Sequence, residues 1–346
     1  MRTTAAKLLT AAALAASLLG AATGTAVADP PVAPPANSIV GVGVRVTQAL
    51  YGQFSTDYNA QLTGAGDTTS PRLYSWDADG SATIVPKVGA GSVPRPRTSD
   101  TGLQLLDTTT AATVDYVRSD RGPQAGDPVS DLFVVLAKDA VTWSAKAAGG
   151  NAPANLTTAD LKNIYNGVYT TWDQITDIAG YAGPHVAIKP YLPQTGSSTR
   201  AFFLKTIGVT TPGANVLVGP QEDEGTDVAF SDPNVVFPYS VGHYVGQVYG
   251  GHATVTDAPG YLSLRSVNGV APITPTHTVN PALAAGPYGR TFYSVVRVAE
   301  WNATDAHGAA LRNIFGPGGW ICTAGQADIR SYGFLTVAAC GGTTHS

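Results

Sequence analysis

The sequence predicts an α/β protein in which mostly parallel strands alternate with helices. Three observations support this class. Short apolar runs alternate along the chain with segments of helical periodicity. The segment DLFVVLAKDAVTWSA is apolar almost throughout, as expected of a strand buried on both faces. Four junctions at strand ends carry Ser, Thr, Gly or Arg, and ligands of such sheets bind at the carboxyl ends of the strands.

The first half of the chain gives clear signals for individual elements. SIVGVGV predicts a strand followed by a helix, and LYSWDA and TVDYVRSD predict two further strands that end in polar loops. NLTTADLKNIYNG predicts a helix with Thr157 or Thr158 as N-cap, Asp160 in its first turn and Gly167 at its end.

The second half begins with an unusual helix start. HVAIKPYLPQ predicts a strand, and in the following QTGSSTRAFF we expect Ser197 to be the N-cap and Arg200 to lie in the first turn. An arginine at the positive end of a helix dipole is unfavourable by roughly 0.3–1 kcal/mol, so a negative group is expected nearby. VVFPYSVGHYVGQVYG predicts a strand and a helix, RTFYSVVRVAEW a buried strand, and ALRNIFGPGGW a short helix.

Length and composition limit the function classes. The chain has 346 residues, of which 44% are hydrophobic and 13% charged, which is enough for two domains with sizeable cores. A net charge of −4 argues against binding to nucleic acid or to anionic membranes, because both need a basic surface.

The N-terminus predicts export. Arg2 and Lys7 precede an apolar stretch over residues 8–19, and the small residues Ala26 and Ala28 predict a signal peptide, residues 1–28, cleaved after Ala28. The protein is therefore expected to be secreted, without a lipid anchor because no cysteine lies near the cleavage site. No later stretch is long and apolar enough for a membrane span, so no stable membrane insertion is expected.

Two cysteines, Cys322 and Cys340, lie near the C-terminus. In an exported chain such a pair predicts a disulfide, which would stabilise the fold by about 3 kcal/mol through the entropy of the unfolded chain. Two free buried thiols are the alternative.

The four junctions together predict an anion site. They are GVGVRVT, RPRTSDTG, RSDRG and QTGSSTR. An oxyanion bound without a metal or cofactor needs converging N–H groups from helix starts, Ser and Thr hydroxyls and arginine. The candidate ligand-binding residues are Arg45, Thr47, Ser99, Ser119, Asp120, Gly196, Ser197, Ser198, Thr199 and Arg200.

Among these candidates, Asp120 would accept a proton from hydrogen phosphate, and alternatively it caps the next turn. For Arg45 the alternative is a solvated side chain or a salt bridge, and for Arg200 a surface position. Arg118 and Arg121 are expected near Asp120 as structural partners.

These junctions, together with LTTADLKNIYNGVYTTWDQI, resemble the phosphate-binding solute receptors of ABC transporters, a branch of the type II periplasmic-binding-protein superfamily. The resemblance covers nearly all of the mature chain. It implies two α/β lobes, joined by two crossing strands, that close on a ligand in the cleft. The family's last loop reads R-x-D-G-S-G-T-T. Gly196, Ser197 and Thr199 match it, whereas Ser198 replaces a glycine and Pro193 stands where the ligand arginine is expected.

The resemblance implies a domain organisation and partners. After the signal peptide we expect a Pro-rich lead-in, residues 29–38, a first lobe formed by residues 39–131 and 237–346, and a second lobe formed by residues 132–236. The crossings are expected near residues 132–136 and 235–239. The implied function is that of a monomeric, non-enzymatic receptor for a small oxyanion, with phosphate the leading candidate and an ABC-transporter permease as a further partner.

Two other functions stay open. One is a secreted scaffold or adhesion protein that keeps the fold without a ligand. The other is a hydrolase with Ser197 as nucleophile, assisted by His185 or His243. The acidic run PQEDEG is expected to be a solvated face, or alternatively to bring Glu222 or Asp223 to the cleft. None of the six histidines shows metal-ligand spacing, so no metal site is expected.

Overall fold

The structure of the chain is a computed structural model that describes residues 29–345. The predicted signal peptide, residues 1–28, lies outside the described residues. The strands are β1 (Ile39–Gly43), β2 (Leu73–Ser75), β3 (Thr83–Ile84), β4 (Val93–Pro94), β5 (Tyr116–Ser119), β6 (Asp131–Lys146), β7 (Asn155–Leu156), β8 (Lys189–Leu192), β9 (Leu217–Val218), β10 (Val235–Ser240), β11 (Leu262–Leu264), β12 (Ser266–Val267), β13 (Gly289–Arg297), β14 (Leu335–Thr336) and β15 (Thr343–Thr344). The helices are α1 (Gln48–Gly64), α2 (Ser99–Thr108), α3 (Thr158–Tyr165), α4 (Ser198–Ile207), α5 (Val241–Val248), α6 (Pro281–Ala285), α7 (Val298–Asn302), α8 (Ala306–Phe315) and α9 (Gln326–Ser331).

One sheet runs through the molecule in the order β2-β1-β5-β13-β6-β10-β8-β9. Its two ends are parallel: β1 pairs with β2 and β5, and β8 pairs with β9 and β10. In the middle, β6 and β13 run antiparallel to each other and to their other neighbours. The predicted α/β class is thus confirmed, and the antiparallel centre arises where the chain passes between two parallel regions.

The long strand β6 joins two hydrophobic cores. Leu132, Val134 and Leu136 belong to one core together with α1 and α8, whereas Val141 and Trp143 belong to a second core with α3 and α4. We define lobe 1 as residues 29–139 and 289–345, and lobe 2 as residues 140–288. Both lobes are α/β layers, as expected of a two-lobed binding protein.

The return crossing lies later in the chain than expected. β10 was expected to cross near residues 235–239, but it pairs with β8 and with the lobe 2 half of β6. Val245, Leu283 and Tyr288 also pack in the lobe 2 core, so the chain returns to lobe 1 only where β13 begins. The expected lobe boundary at residue 237 therefore differs from the packing, because an apolar strand does not reveal which neighbour it pairs with.

Local signals at the helix starts agree with the structure. Thr157 caps α3 and its side chain accepts a hydrogen bond from the Asp160 amide, while Ser197 caps α4 through the Arg200 amide. Each cap satisfies a backbone donor that the helix leaves without a partner.

Two further findings concern the C-terminal part and membranes. Cys322 and Cys340 form a disulfide, with Cα atoms 5.6 Å apart, as predicted. In the described part of the chain, every helix is too short or too polar to cross a bilayer.

Candidate functional site

Four predicted residues meet where the lobes face each other. Ser99 begins α2 and Asp120 follows β5, both on lobe 1, and Ser197 and Thr199 lie at the start of α4 on lobe 2. All four are buried, with at most 7% of each residue exposed. Two residues outside the predicted set, Arg290 and Glu222, connect them.

Arg290, at the start of β13, bridges the lobes. Its Nη1 donates to Asp120 Oδ2 (3.0 Å) and its Nη2 to Thr199 Oγ1 (3.3 Å). Its Nε and Nη2 also donate to Asp139 Oδ2, at 3.0 and 2.9 Å. Asp120 in turn accepts a hydrogen bond of 2.8 Å from Ser99 Oγ. One guanidinium group therefore links the predicted anion contacts of lobe 1 and lobe 2.

Neighbouring carboxylates stabilise the positive charge of Arg290. Burial by itself would lower the pKa of Arg290, but the negative charges of Asp139 and Asp120 outweigh this effect and raise the pKa. Arg290 is not among the residues predicted from the sequence. The signal that was available is an arginine at the beginning of an otherwise apolar strand, RTFYSVV.

Glu222 brings a negative charge to the start of α4. Its Oε2 accepts hydrogen bonds from Ser197 Oγ (2.6 Å) and from the Thr199 amide (3.1 Å). The residue is only 2% exposed, so the interpretation of PQEDEG as a solvated face is wrong for Glu222, and also for the fully buried Asp223. A carboxylate at this position is stabilised by the helix dipole and by the free amides of the first turn. The negative group expected near Arg200 is thus supplied by the chain itself.

Arg45 of the first junction lies among carboxylates. Its Nε donates to Asp79 Oδ2, its Nη1 to the Glu222 carbonyl and its Nη2 to Glu224 Oε1, each at 2.6 Å. Asp79 is on lobe 1, and Glu222 and Glu224 are on lobe 2, so Arg45 is a second link between the lobes. Burial by itself would lower the pKa of Arg45, but the charges of Asp79 and of the other surrounding carboxylates together outweigh this effect and raise the pKa.

The rest of the first junction is packed into lobe 1. A Cβ at Gly41 would lie 2.1 Å from the Tyr116 ring, and Gly43 has φ +130°. The buried Arg118 binds carbonyls of the same segment, Gly43 O at 3.1 Å and Val44 O at 3.2 Å. The Thr47 hydroxyl is buried and has no hydrogen-bond partner among the described residues. Packing within lobe 1 therefore explains why glycine stands at positions 41 and 43. A ligand contact by Thr47 stays a prediction.

The predicted residues Ser119 and Asp120 have different surroundings. Ser119 Oγ donates to the Arg121 carbonyl (2.8 Å) and so stabilises the turn after β5. Arg121 forms ion pairs with Asp100 (2.8 Å) and Asp127 (2.7 Å) instead of pairing with Asp120. Asp120 therefore has Arg290, and neither of the neighbouring arginines, as its cationic partner.

The acidic loop around Glu222 is held by a buried network on lobe 2. Asp223 Oδ1 accepts from the Ser240 amide (2.8 Å), and its carbonyl accepts from Gln247 Nε2 (2.8 Å). His243 Nε2 lies 2.7 Å from Asp257 Oδ1. Burial would lower the pKa of His243, but the charge and hydrogen bond of Asp257, together with the charge of Asp223, outweigh this effect and raise the pKa to about 9. His243 is thus a cation that pairs with Asp257.

A cavity of about 470 Å³ opens next to this site, between α2 and α4. Lobe 1 contributes Thr98, Ser99, Asp100, Asp120, Arg121 and Gln124, and lobe 2 contributes Gly196, Ser197, Ser198, Arg200, Ala201, Phe202, Leu204 and Lys205. The buried Ser198 hydroxyl has no hydrogen-bond partner among the described residues. Arg200 donates to the Pro193 carbonyl at 3.0 Å. Gly196, Ser198 and Arg200 therefore line the cavity beside the position of Glu222.

Carboxylates outnumber cations in the part of the molecule around Arg45. A second cavity, of about 390 Å³ and next to Arg45, is lined by Asp77, Asp79, Glu224 and Asp257. Burial raises the pKa of Asp77 to about 6 and, near Glu222, that of Asp223 to about 6. A fully ionised anion would be repelled there, so the donors at the start of α4 and the α2–α4 cavity are the part of the cleft suited to an anion.

Comparison with known proteins identifies the family. The family model described as PBP superfamily domain matches residues 55–304. The fold is similar to that of an ABC-type phosphate transport receptor from Vibrio cholerae, with 17% identity, a TM-score of 0.58, and coverage of 87% of this chain and 100% of that chain. It is also similar to PstS from Borrelia burgdorferi, with 14% identity, a TM-score of 0.51, and coverage of 86% and 98%. No curated protein sequence matches the chain significantly. The chain belongs to the PBP superfamily, and it has the two-lobed fold of type II periplasmic binding proteins.

Proposed function

We propose that the protein is an extracytoplasmic solute-binding protein that takes a small oxyanion at the start of α4, with phosphate as the leading candidate. A phosphate transport receptor has a similar fold, which supports this class of ligand. The predicted signal peptide supports export, and if the protein serves a transporter, its partner is a membrane permease that recognises the closed form.

The observation that carries the proposal is the carboxylate of Glu222. Ser197 Oγ and the Thr199 amide converge on one oxygen of this side chain, so the turn before α4 already binds an oxyanion that belongs to the chain. Hydroxyl and amide donors at a helix start bind phosphate, sulfate or carboxylate alike. The same donors, with Ser198 Oγ beside them, are available to a solute once Glu222 moves away.

The contacts between the lobes support closure of the cleft on a ligand. Arg290 contacts Asp120 on lobe 1 and Thr199 on lobe 2, and Arg45 contacts Asp79 and Glu224. A ligand that touches Asp120 and Thr199 together favours the closed state, because it gains these contacts only when the lobes are close.

A thermal-shift series with phosphate, sulfate and organic phosphates tests the proposal. A ligand that binds only the folded protein stabilises it by about 2.7 kcal/mol at a concentration of 100 Kd. We expect a dose-dependent rise of the melting temperature with at least one of these anions. A flat response to all of them would refute oxyanion binding.

A ligand-free scaffold is the second candidate. Its support is that Glu222 and Arg290 satisfy donors and acceptors of both lobes without any solute. The hydrolase alternative has less support, because Ser197 Oγ donates to Glu222, whereas His185 and His243 pair with Asp173 and Asp257. We therefore propose a non-enzymatic role.

A further inference from the structure

Three side chains that are distant in sequence meet on lobe 1, at the end of β5 opposite to the cleft. Asp115 directly precedes β5, Glu300 lies in α7, and His307 lies in the first turn of α8. Each of the three residues offers one ligand atom, and these three atoms all lie within 4.8 Å of one another. Their separation along the chain explains why ligand spacing gave no signal in the sequence.

Each carboxylate uses one oxygen for a structural contact and directs the other toward His307. Asp115 Oδ2 lies 2.7 Å from Lys87 Nζ and accepts from the Val40 amide (2.6 Å), and Glu300 Oε1 accepts from Arg297 Nη1 (2.9 Å). Asp115 is completely buried. Its Oδ1, together with Glu300 Oε2 and His307 Nε2, has no hydrogen-bond partner among the described residues.

One of the ligand-to-ligand distances matches that expected around a tetrahedral ion, and a second is slightly longer. His307 Nε2 lies 3.3 Å from Asp115 Oδ1 and 3.8 Å from Glu300 Oε2. Zinc binds His nitrogen and carboxylate oxygen at about 2.0–2.2 Å, which places tetrahedral ligands roughly 3.3–3.5 Å apart. Lys87 and Arg297 hold the second oxygen of each carboxylate and fix its orientation, as the outer partners of metal ligands do.

We propose that Asp115, Glu300 and His307 bind one zinc ion. One imidazole and two carboxylates are a ligand set that zinc accepts, and a water molecule would complete the tetrahedron. The site ties the start of β5 to α7 and α8, so zinc adds stability to lobe 1 and leaves the cleft unaltered.

A proton is the competitor of zinc at this site. The neighbouring carboxylates of Glu300 and Asp115 raise the pKa of His307 against the opposing effects of burial and of Lys87. Because the imidazolium would bridge the same two carboxylates, zinc binding releases this proton and weakens as the pH falls.

Zinc titration of the full chain after treatment with EDTA tests the proposal. We expect one zinc ion per chain by calorimetry and by elemental analysis of the dialysed protein, and a visible absorption spectrum typical of tetrahedral Co²⁺ when cobalt replaces zinc. His307→Gln and, separately, Glu300→Gln should weaken zinc binding at least tenfold. The control is His185→Gln, at an exposed histidine that pairs with a single carboxylate, Asp173, and it should bind zinc as the wild type does.

Circular dichroism of each variant verifies that it is folded. If His307→Gln does not fold, Glu300→Gln alone tests the proposal. Glu300 is partly exposed, so its substitution is expected to disturb the fold less. Absence of stoichiometric zinc binding by the wild type would overturn the proposal, as would unchanged binding in folded His307→Gln or Glu300→Gln protein.

Discussion

The Ser197 hydroxyl donates a hydrogen bond of 2.6 Å to the Glu222 carboxylate, and both groups are buried. The N-cap of α4, which in the family's pattern belongs to the anion-binding loop, is thereby engaged by an anion of the same chain. Any external oxyanion competes with this side chain. In the proposed function, Glu222 therefore has to move away before a solute binds to Ser197 and Thr199.

Ser197→Ala should destabilise the protein by about 1–2 kcal/mol. It removes the cap of α4, and loss of an N-cap costs roughly 0.5–2 kcal/mol. It also leaves the buried Glu222 with one donor fewer. Urea denaturation measures the change, with Thr98→Ala, which removes the more exposed cap of α2, as control. A smaller loss for Ser197→Ala than for Thr98→Ala would contradict the account.

Arg290→Met should cost about 3–5 kcal/mol, because it leaves the buried Asp120 and Asp139 without their cationic partner. Arg200→Met, which removes a hydrogen bond to the Pro193 carbonyl at the cavity, should cost much less. Denaturant unfolding of both variants, of Asp139→Asn and of the double variant Arg290→Met/Asp139→Asn measures the coupling between Arg290 and Asp139. Strict additivity in the double variant would show that the pair does not interact.

Reduction of the disulfide should lower the free energy of unfolding by about 3 kcal/mol, because the bond closes a loop with a sequence separation of 18 residues. Thermal denaturation with and without dithiothreitol measures this loss. The Cys322→Ser/Cys340→Ser variant is the control and should not respond to the reductant. An unchanged melting temperature of reduced wild-type protein would contradict the prediction.

His243 should make stability depend on alkaline pH. Burial would lower its pKa, but the charge and hydrogen bond of Asp257, together with the charge of Asp223, outweigh this effect and raise the pKa to about 9 in the folded state. The unfolded value is about 6.5. The stabilisation is therefore fully present below about pH 6.5 and is lost as the pH rises toward 9. In urea denaturation, His243→Gln should reduce the decline of the free energy of unfolding between these two pH values. The control is His185→Gln, at an exposed histidine, which should leave the decline as it is in the wild type. If the free energy of unfolding falls equally steeply with pH in His243→Gln and in the wild type, His243 is not the cause of the decline.

The sequence correctly predicted the structural features that depend on local signals. The caps Thr157 and Ser197, the buried strand β6 and the disulfide follow from neighbouring residues or from a single pair. The expectation of a negative group near Arg200 followed from the helix dipole, although its identity as Glu222 did not.

The missed features depend on tertiary packing. Arg290 reaches Asp120 and Thr199 only because β13 lies between β5 and β6. Glu222 is buried because the loop after β9 folds back onto α4, and composition gives no sign of this. The return crossing lies later in the chain than the sequence predicts for the same reason, since β10 has the pattern of any buried strand.

Isothermal titration of phosphate into wild-type protein and Glu222→Gln compares the internal and the external anion. The glutamine keeps the size of the side chain and removes its charge, so phosphate no longer competes with a carboxylate for Ser197 Oγ and the Thr199 amide. Glu224→Gln, two residues away and paired with Arg45, is the matched control. The account predicts that Glu222→Gln binds phosphate at least tenfold more tightly than the wild type, about 1.4 kcal/mol, whereas Glu224→Gln changes affinity much less. Phosphate binding by Glu222→Gln that is undetectable, or no tighter than that of the wild type, would contradict it.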